Sequence, residues 1–388
     1  MIHVFIGTKA QYIKTAPLLR YLDATGIPYN LIDSGQHAEL ASLLRKELGI
    51  REPDVFLRRG RDLQTIPAVL SWLVRSIARA VGNPVAIRKD LFRGDRRGLC
   101  VIHGDTPSTL LSAFLAHVAG LKIAHLEAGL RSFSYLHPFP EELIRKIVMR
   151  RADLLFTPSD WATENLAHMR VRGLVVNVGS NTSVEALRYS MTSASNTPPL
   201  LCGPFILATI HRVETLHSSR RLRQVLHLIF GQAQHRHVVF VLHPPTEAVL
   251  KKKGLYASLL GKPNLTLLPL LPHAVFLQHL QRADFVITDG GSVQEECAML
   301  GKPCLLMRRR TERLDGIGDN VVLSRFDPER IRHFLEHWEE LARPPADISV
   351  RPSERIAEVL RRYAEPPGEV RHRVLHARQR VGGEVSSD

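Results

Sequence analysis

The feature that most constrains the fold is a repeated alternation of short, largely apolar runs with longer amphipathic stretches. IHVFI at 2–6, NLIDS at 30–34, LCVIHGDT from 99, LKIAHLEAG at 121–129 and LLFTPS at 154–159 read as strands. Strands that are apolar on both faces belong to mostly parallel sheets covered by helices on both sides. The stretches between them show helical periodicity. Residues 38–48 place Leu40, Leu43, Leu44 and Leu48 on one stripe, and 64–80 does the same with Ile66, Val69, Leu70, Leu73 and Ile77. Helices are also expected at 107–119 and 140–152. Segment 82–98 interrupts the alternation and reads as an insertion or basic loop.

A polar, proline-rich stretch at 190–204, SMTSASNTPPLLCGP, follows the first set of elements and suits a junction between domains. The alternation then resumes with FILATIHR, HVVFVLHP, LTLLPL, DFVITDGG and PCLLMRRR, a second parallel sheet. At 388 residues the chain exceeds what one core usually serves. The expected division is an N-terminal domain 1–175 and a C-terminal domain 176–365. A basic tail, 366–388, follows a helix at about 350–364 and reads as disordered.

A net charge of +14 and a pI near 10.0 raise the question of polyanionic partners. Zinc-finger spacing and basic stretches interleaved with aromatics are both missing, so nucleic acid is not expected. Seven Arg or Lys between Arg75 and Arg97 instead suit a solvated surface or peripheral contact with an anionic membrane. No charge-free apolar run is long enough to span a bilayer. Lys9 and Lys14 follow the first apolar run, the reverse of a secretory signal. Cys100, Cys202, Cys297 and Cys304 lack CxxC spacing and read as buried thiols in a reducing cytoplasm. No metal site is expected.

Charged residues cluster just past strand ends, where open α/β sheets bind ligands. Gly7-Thr8 opens a helix near Lys9 and Lys14, which suits either a plain turn or an anion site. The spacing excludes both the GxGxxG fingerprint and the P-loop. Asp105 and Glu127 end apolar strands, and Glu141 opens a helix, where it is either a first-turn charge or a third functional carboxylate. Crowded carboxylates drive their pKa values apart and so supply an acid and a base together. His211-Arg212 and His243 end strands of the second half. There too, Asp289-Gly290-Gly291-Ser292 lets a ligand approach the backbone at a helix N-terminus. Glu295 or Glu296 would reach ribose hydroxyls, and Arg308 and Arg313 phosphates. One domain therefore reads as the grip on a nucleoside diphosphate and the other as the site of chemistry.

Taken in order, GTKAQYIKTAPLL, HGDTPSTLLSAF, HLEAGLRS, PFPEELIRK, IHRVET, TDGGSVQEECAMLGKPCLLMR and TERLDG resemble the motifs of the UDP-N-acetylglucosamine 2-epimerases, from about residue 2 to 323. The resemblance implies a GT-B-like α/β fold: two Rossmann-like domains whose parallel sheets face a central cleft. It implies epimerisation of a UDP-N-acetylhexosamine at C2, UDP-GlcNAc to UDP-ManNAc, by elimination and re-addition of UDP. No cofactor is implied, and the implied assembly is a homodimer. Carried onto this chain, Asp105, Glu127 and Glu141 would be the acid–base carboxylates, with His211 assisting the departing diphosphate. Phe276, Glu296 and Arg313 would hold uridine, ribose and phosphates. Lys9, Lys14, Arg212, His243, Gly290, Gly291 and Ser292 complete the expected nucleotide grip.

Several positions depart from the family pattern. The usual GTRPE is Gly7-Thr8-Lys9-Ala10-Gln11, and lysine lacks arginine's planar fork. DSGG has become Asp289-Gly290-Gly291-Ser292, and a glutamine common near the uracil corresponds to Leu271. Gln36 and His37 fit part of an activator site for a second substrate molecule, while Val213 replaces its usual arginine. These changes favour retained chemistry with altered donor recognition. The rival readings are a hydrolysing epimerase that releases ManNAc and UDP, a GT-B glycosyltransferase with a UDP-HexNAc donor, and a nucleotide-sugar binding protein without turnover.

Overall fold

The computed structural model describes residues 1–36, 38–60, 63, 66–134, 140–194 and 203–364. His37, Cys202, part of the 190–204 junction and the tail 366–388 lie outside the described residues.

Seven strands form the first sheet: β1 (Ile2–Ile6), β2 (Tyr29–Asp33), β3 (Val55–Phe56), β4 (Leu99–His103), β5 (Lys122–Leu126), β6 (Leu154–Thr157) and β7 (Leu174–Asn177). Their order is β3-β2-β1-β4-β5-β6-β7. The second sheet holds β8 (Ile206–Thr209), β9 (Val238–Leu242), β10 (Leu265–Pro269), β11 (Val286–Thr288), β12 (Cys304–Leu306) and β13 (Val321–Leu323). It runs β10-β9-β8-β11-β12-β13. Every pairing in both sheets is parallel. Both sheets reverse their order at a central strand, and the crevice beyond such a point is where ligands bind. β1, β2, β4, β6, β8 and β9 are buried along their whole length, as strands largely apolar on both faces require. This is the GT-B-like α/β fold expected.

β7 runs through residues 175–176 and belongs to the first sheet. The helix Ser183–Ala194 then packs against the helix His273–Arg282 of the second half. The last described helix, Pro352–Ala364, returns to the first domain, where Ile356, Ala357 and Leu360 join the core formed by β1, β2 and the helix Lys9–Ala24. Ser353 fastens it by donating from its backbone N–H and its hydroxyl to Glu185.

Segment 82–98 is not a loop. The helix Ile66–Gly82 is followed at once by a second helix, Pro84–Phe92, capped by Asn83 with Pro84 in its first turn. Its core side buries Ile87, Leu91 and Phe92, apolar positions outnumbered in the sequence by charges. The preceding helix differs too. It turns Trp72 and Ala80 inward while Leu70, Val74, Ile77 and Val81 are exposed, so part of its apolar stripe faces out. Leu43 is likewise exposed. Among the described residues no helix is long and apolar enough to cross a membrane.

Candidate active site

The turn after β1 organises the floor of the cleft. Thr8 caps the helix Lys9–Ala24, and the Gln11 side-chain oxygen accepts from the N–H groups of Gly7 and Thr8 at 2.7 and 3.1 Å. Those two donors, candidates for an anion, are therefore satisfied internally. Gly7 is required by packing, since a Cβ there would lie 2.3 Å from the Ser108 hydroxyl. The helix carries Lys14 into the interior, where Nζ donates to Glu127 Oε1 at 2.7 Å and Glu295 Oε2 at 2.8 Å. Its partners are thus carboxylates rather than the nucleotide.

Glu127 sits just past β5 with φ +62°. A non-glycine residue in the left-handed region is uncommon and concentrates at functional sites. Burial pushes the carboxyl up, but the Arg313 guanidinium, at 2.6 Å, and Lys14 hold it well below the usual range. Asn181 also donates to Glu127 and to Glu295, at 2.5 and 2.8 Å. His103 lies 3.7 Å away, and burial depresses its pKa to about 4, so it is neutral.

Asp105 leaves the tip of β4 and pairs with Arg145 on the helix Glu141–Arg151. Glu141, first residue of that helix, receives Arg212 Nη1 at 3.2 Å from the other domain, while its Oε2 is buried without a hydrogen bond. Burial raises its pKa, Arg212 opposes this, and the charge of Asp105 adds to the rise. The expected carboxylates thus occupy different electrostatic settings. Cations hold Glu127 well below the usual carboxylate range, whereas burial pushes Glu141 above it.

The second domain closes the site. Burial, then Arg212 and Lys9, lower the His211 pKa to about 3; the ring stacks on His243 at 4.4 Å, itself lowered to about 2 by burial and by His211. Asp289 accepts from the N–H groups of His211 and Arg212 at 2.9 and 3.0 Å, fixing this turn. The helix Gly291–Leu300 has no side-chain cap, which leaves its first N–H groups available to an anion. A Cβ on Gly290 would lie 2.6 Å from His211 Cε1, and one on Gly291 would lie 3.0 Å from Arg313 Nε. Ser292 is half-buried in the first turn. Glu296 accepts from His273 Nε2 at 2.9 Å, near Lys9 in charge terms, and Phe276 is buried on the adjoining helix beside Leu271. Gln36 is buried and Val213 exposed.

Asn181 and Arg145 were not singled out by their sequence setting; Glu312 is expected from the sequence to anchor Arg308 and Arg313, and Glu295, a candidate for ribose, instead pairs with Lys14 and Arg313. Glu312 is the hub on which Arg308, Arg145 and Arg212 converge at 2.9, 3.5 and 3.6 Å. Arg145 had no local signal, being one of several cations on an amphipathic helix. No group of three or more His, Cys, Asp or Glu side chains is placed to hold a metal among the described residues.

A family model for UDP-N-acetylglucosamine 2-epimerase matches residues 20–360. The UDP-N-acetylglucosamine 2-epimerase of Bacillus subtilis is 30% identical over 84% of this chain and 83% of its own length. The UDP-2,3-diacetamido-2,3-dideoxy-D-glucuronate 2-epimerase of Pseudomonas aeruginosa is also 30% identical, over 82% and 87%. The crystal structure of the Methanocaldococcus jannaschii UDP-GlcNAc 2-epimerase with UDP-GlcNAc and UDP superposes with a TM-score of 0.82 at 25% identity, covering 93% of this chain and 99% of that one. With its paired parallel sheets and its carboxylates gathered over the cleft, the chain belongs to the UDP-N-acetylglucosamine 2-epimerase family, isomerases that act at C2 of a UDP-N-acetylhexosamine.

Proposed function

We propose that the chain interconverts UDP-GlcNAc and UDP-ManNAc by elimination and re-addition of UDP, with Asp105, Glu127 and Glu141 as its acid–base carboxylates. The observation that carries this is the unlike setting of Asp105, paired with Arg145, and Glu141, whose Oε2 is buried without a hydrogen bond, within one cleft. A two-sided epimerisation needs one group to take a proton and another to give one on the opposite face. Asp105, aligned by Arg145, takes the C2 proton. The C2–H electrons form the C1–C2 double bond, and the C1–O bond breaks with its pair leaving on UDP. Glu141 returns a proton to C2 from the other face as UDP adds back at C1. Glu127, fixed between Lys14 and Arg313, orients the sugar. His211 meets the departing diphosphate together with the uncapped N–H groups at Gly291, so the developing charge falls on donors already in place. Glu296 and Phe276 hold ribose and uracil, and Lys9, Arg212, His243 and Arg313 surround the phosphates.

Incubation with UDP-GlcNAc in deuterated water tests this. Deuterium at C2 with UDP-ManNAc formed, abolished in Asp105→Asn, is the expected result. Free ManNAc with UDP would make the enzyme hydrolysing instead, and release of UDP only with an acceptor would make it a transferase.

The outward stripe of Leu70, Val74, Ile77 and Val81, continued by Val85, supports a homodimer through this face, since a stripe of this kind favours burial against a partner. Arg79 is paired with Asp90 and Arg93 with Asp54, which reduces the free charge available to an anionic membrane. Binding of a monomer to anionic vesicles would favour the membrane instead. Buried free thiols at Cys100, Cys297 and Cys304 support a cytoplasmic location.

A further inference from the structure

Beside the catalytic network, and sharing Arg212 with it, lies a recess that the reaction above does not use. Arg212, Arg221, Arg308, Arg309 and Arg310 line it, against a single lining carboxylate, Glu214. Its volume of about 20 Å³ suits a group of carboxylate size rather than a ring. Arg309 and Arg310 are exposed and form no ion pair among the described residues. They also line a wider opening of about 660 Å³ that reaches Ser132 in the first domain.

Two details mark the recess as built for an anion. Arg308 is buried, and while its Nη2 is held by Glu312, its Nη1 has no hydrogen-bond partner. An unpartnered buried guanidinium nitrogen is costly, and a carboxylate oxygen is the group that best satisfies it. Arg221 is tied in place by a hydrogen bond to the Glu214 carbonyl and by the Phe326 ring beneath its guanidinium. Burial and then the charge of Arg309 make it easier to deprotonate, a like-charge repulsion that an anion between them relieves.

Arg212 sets the direction. One of its nitrogens holds Glu141, so the recess begins where the sugar-handling carboxylates end. We propose that Arg221, Arg309 and Arg310, with Arg308 behind them, bind a carboxylate carried by the sugar, so that a UDP-linked N-acetylhexosaminuronate is a better substrate than its neutral counterpart; this rests on the C2-epimerase reading above. The uncharged sugar of UDP-GlcNAc leaves the pocket without its anion, and an acid at C6 supplies one.

The test compares the intact protein with an Arg309→Ser/Arg310→Ser variant, both positions being exposed and outside the catalytic network. Calorimetry would measure UDP, UDP-GlcNAc and UDP-N-acetylglucosaminuronate, and C2 deuterium exchange would follow both sugars. The expected result is at least tenfold tighter binding of the uronate by the intact protein. In the variant this preference falls to parity, while affinity for UDP stays within twofold. Equal affinities in the intact protein overturn the proposal. So does a matching loss of UDP affinity in the variant, which would place the diphosphate itself in the recess. Acceleration of UDP-GlcNAc turnover by inorganic phosphate, lost in the variant, would assign the pocket to a free anion and also overturn it. Absence of exchange with either sugar would remove the epimerase reading, and the calorimetric preference would still decide whether the recess reads a carboxylate.

Discussion

Lys14 Nζ lies 2.8 Å from Glu295 Oε2, a buried ion pair that joins the first helix of one domain to the helix Gly291–Leu300 of the other. The same ammonium holds Glu127 at 2.7 Å. Positioning of the proposed Glu127 carboxylate and the contact between the two domains therefore share one side chain. Lys14→Met leaves Glu127 and Glu295 sharing Arg313 as their cation, with Asn181 the neutral donor to both. Removing one member of a buried ion pair costs on the order of 3–5 kcal/mol. Denaturant titration should show a loss of that order, and C2 exchange should fall more than a hundredfold, whereas Lys14→Arg should recover part of the stability.

Glu141 should reveal itself through the pH dependence of stability. Its folded pKa is raised by burial, so the folded state prefers the protonated acid. Its contribution is complete below the unfolded value, near 4.5, and is lost as pH rises through the folded value. Glu141→Gln keeps the shape and removes the titration. The variant should gain stability relative to the parent as pH rises from 4.5 toward 8, converge with it below 4.5, and lose epimerisation throughout. A constant difference across that range would sink the idea.

The buried histidines predict the opposite slope. His103, His211 and His243 are lowered to about 4, 3 and 2, chiefly by burial. Each contributes stability that is present above pH 6.5 and lost as pH falls through the folded value. Between pH 6.5 and 5 each would cost on the order of 1–2 kcal/mol. Unfolding at pH 5 should therefore take up protons, and His103→Gln should flatten the dependence. NMR of the imidazole nitrogens should find all three rings neutral at pH 5.5.

Gly290→Ala separates chemistry from folding. The added Cβ would meet His211 Cε1 at 2.6 Å and displace the ring from the diphosphate site. We expect kcat to fall roughly a hundredfold, the order lost with one oriented catalytic donor. The melting temperature should move by only a few degrees. Gly291→Ala, which meets Arg313 Nε at 3.0 Å, should raise KM more than it lowers kcat.

Leu70→Asp with Ile77→Asp should convert a dimer to a monomer in sedimentation velocity, since both side chains are exposed and no core contact is removed. Retention of the parental sedimentation coefficient would rule this face out as the interface.

The sequence by itself determined the two parallel sheets, because strands apolar on both faces need cover on both sides. It also determined that Asp105, Glu127 and His211 would stand just past strand ends and Glu141 at a helix opening, where open α/β sheets gather ligand-binding groups. Composition misread segment 82–98: Arg88, Lys89 and Arg93 obscured a helix whose buried face is only Ile87, Leu91 and Phe92. What the tertiary structure alone decided was partnership. Arg145 meets Asp105 and Glu312, Lys14 meets Glu295, and Asn181 bridges Glu127 and Glu295. A charge on a helix reads locally as a solvated face, and nothing within one turn of it records which distant carboxylate it will neutralise. Only the meeting of elements from both sheets at a shared cleft brings those charges within ion-pair distance, and with them the contrast between Asp105 held by Arg145 and Glu141 with one buried, unpartnered oxygen on which the proposed chemistry rests.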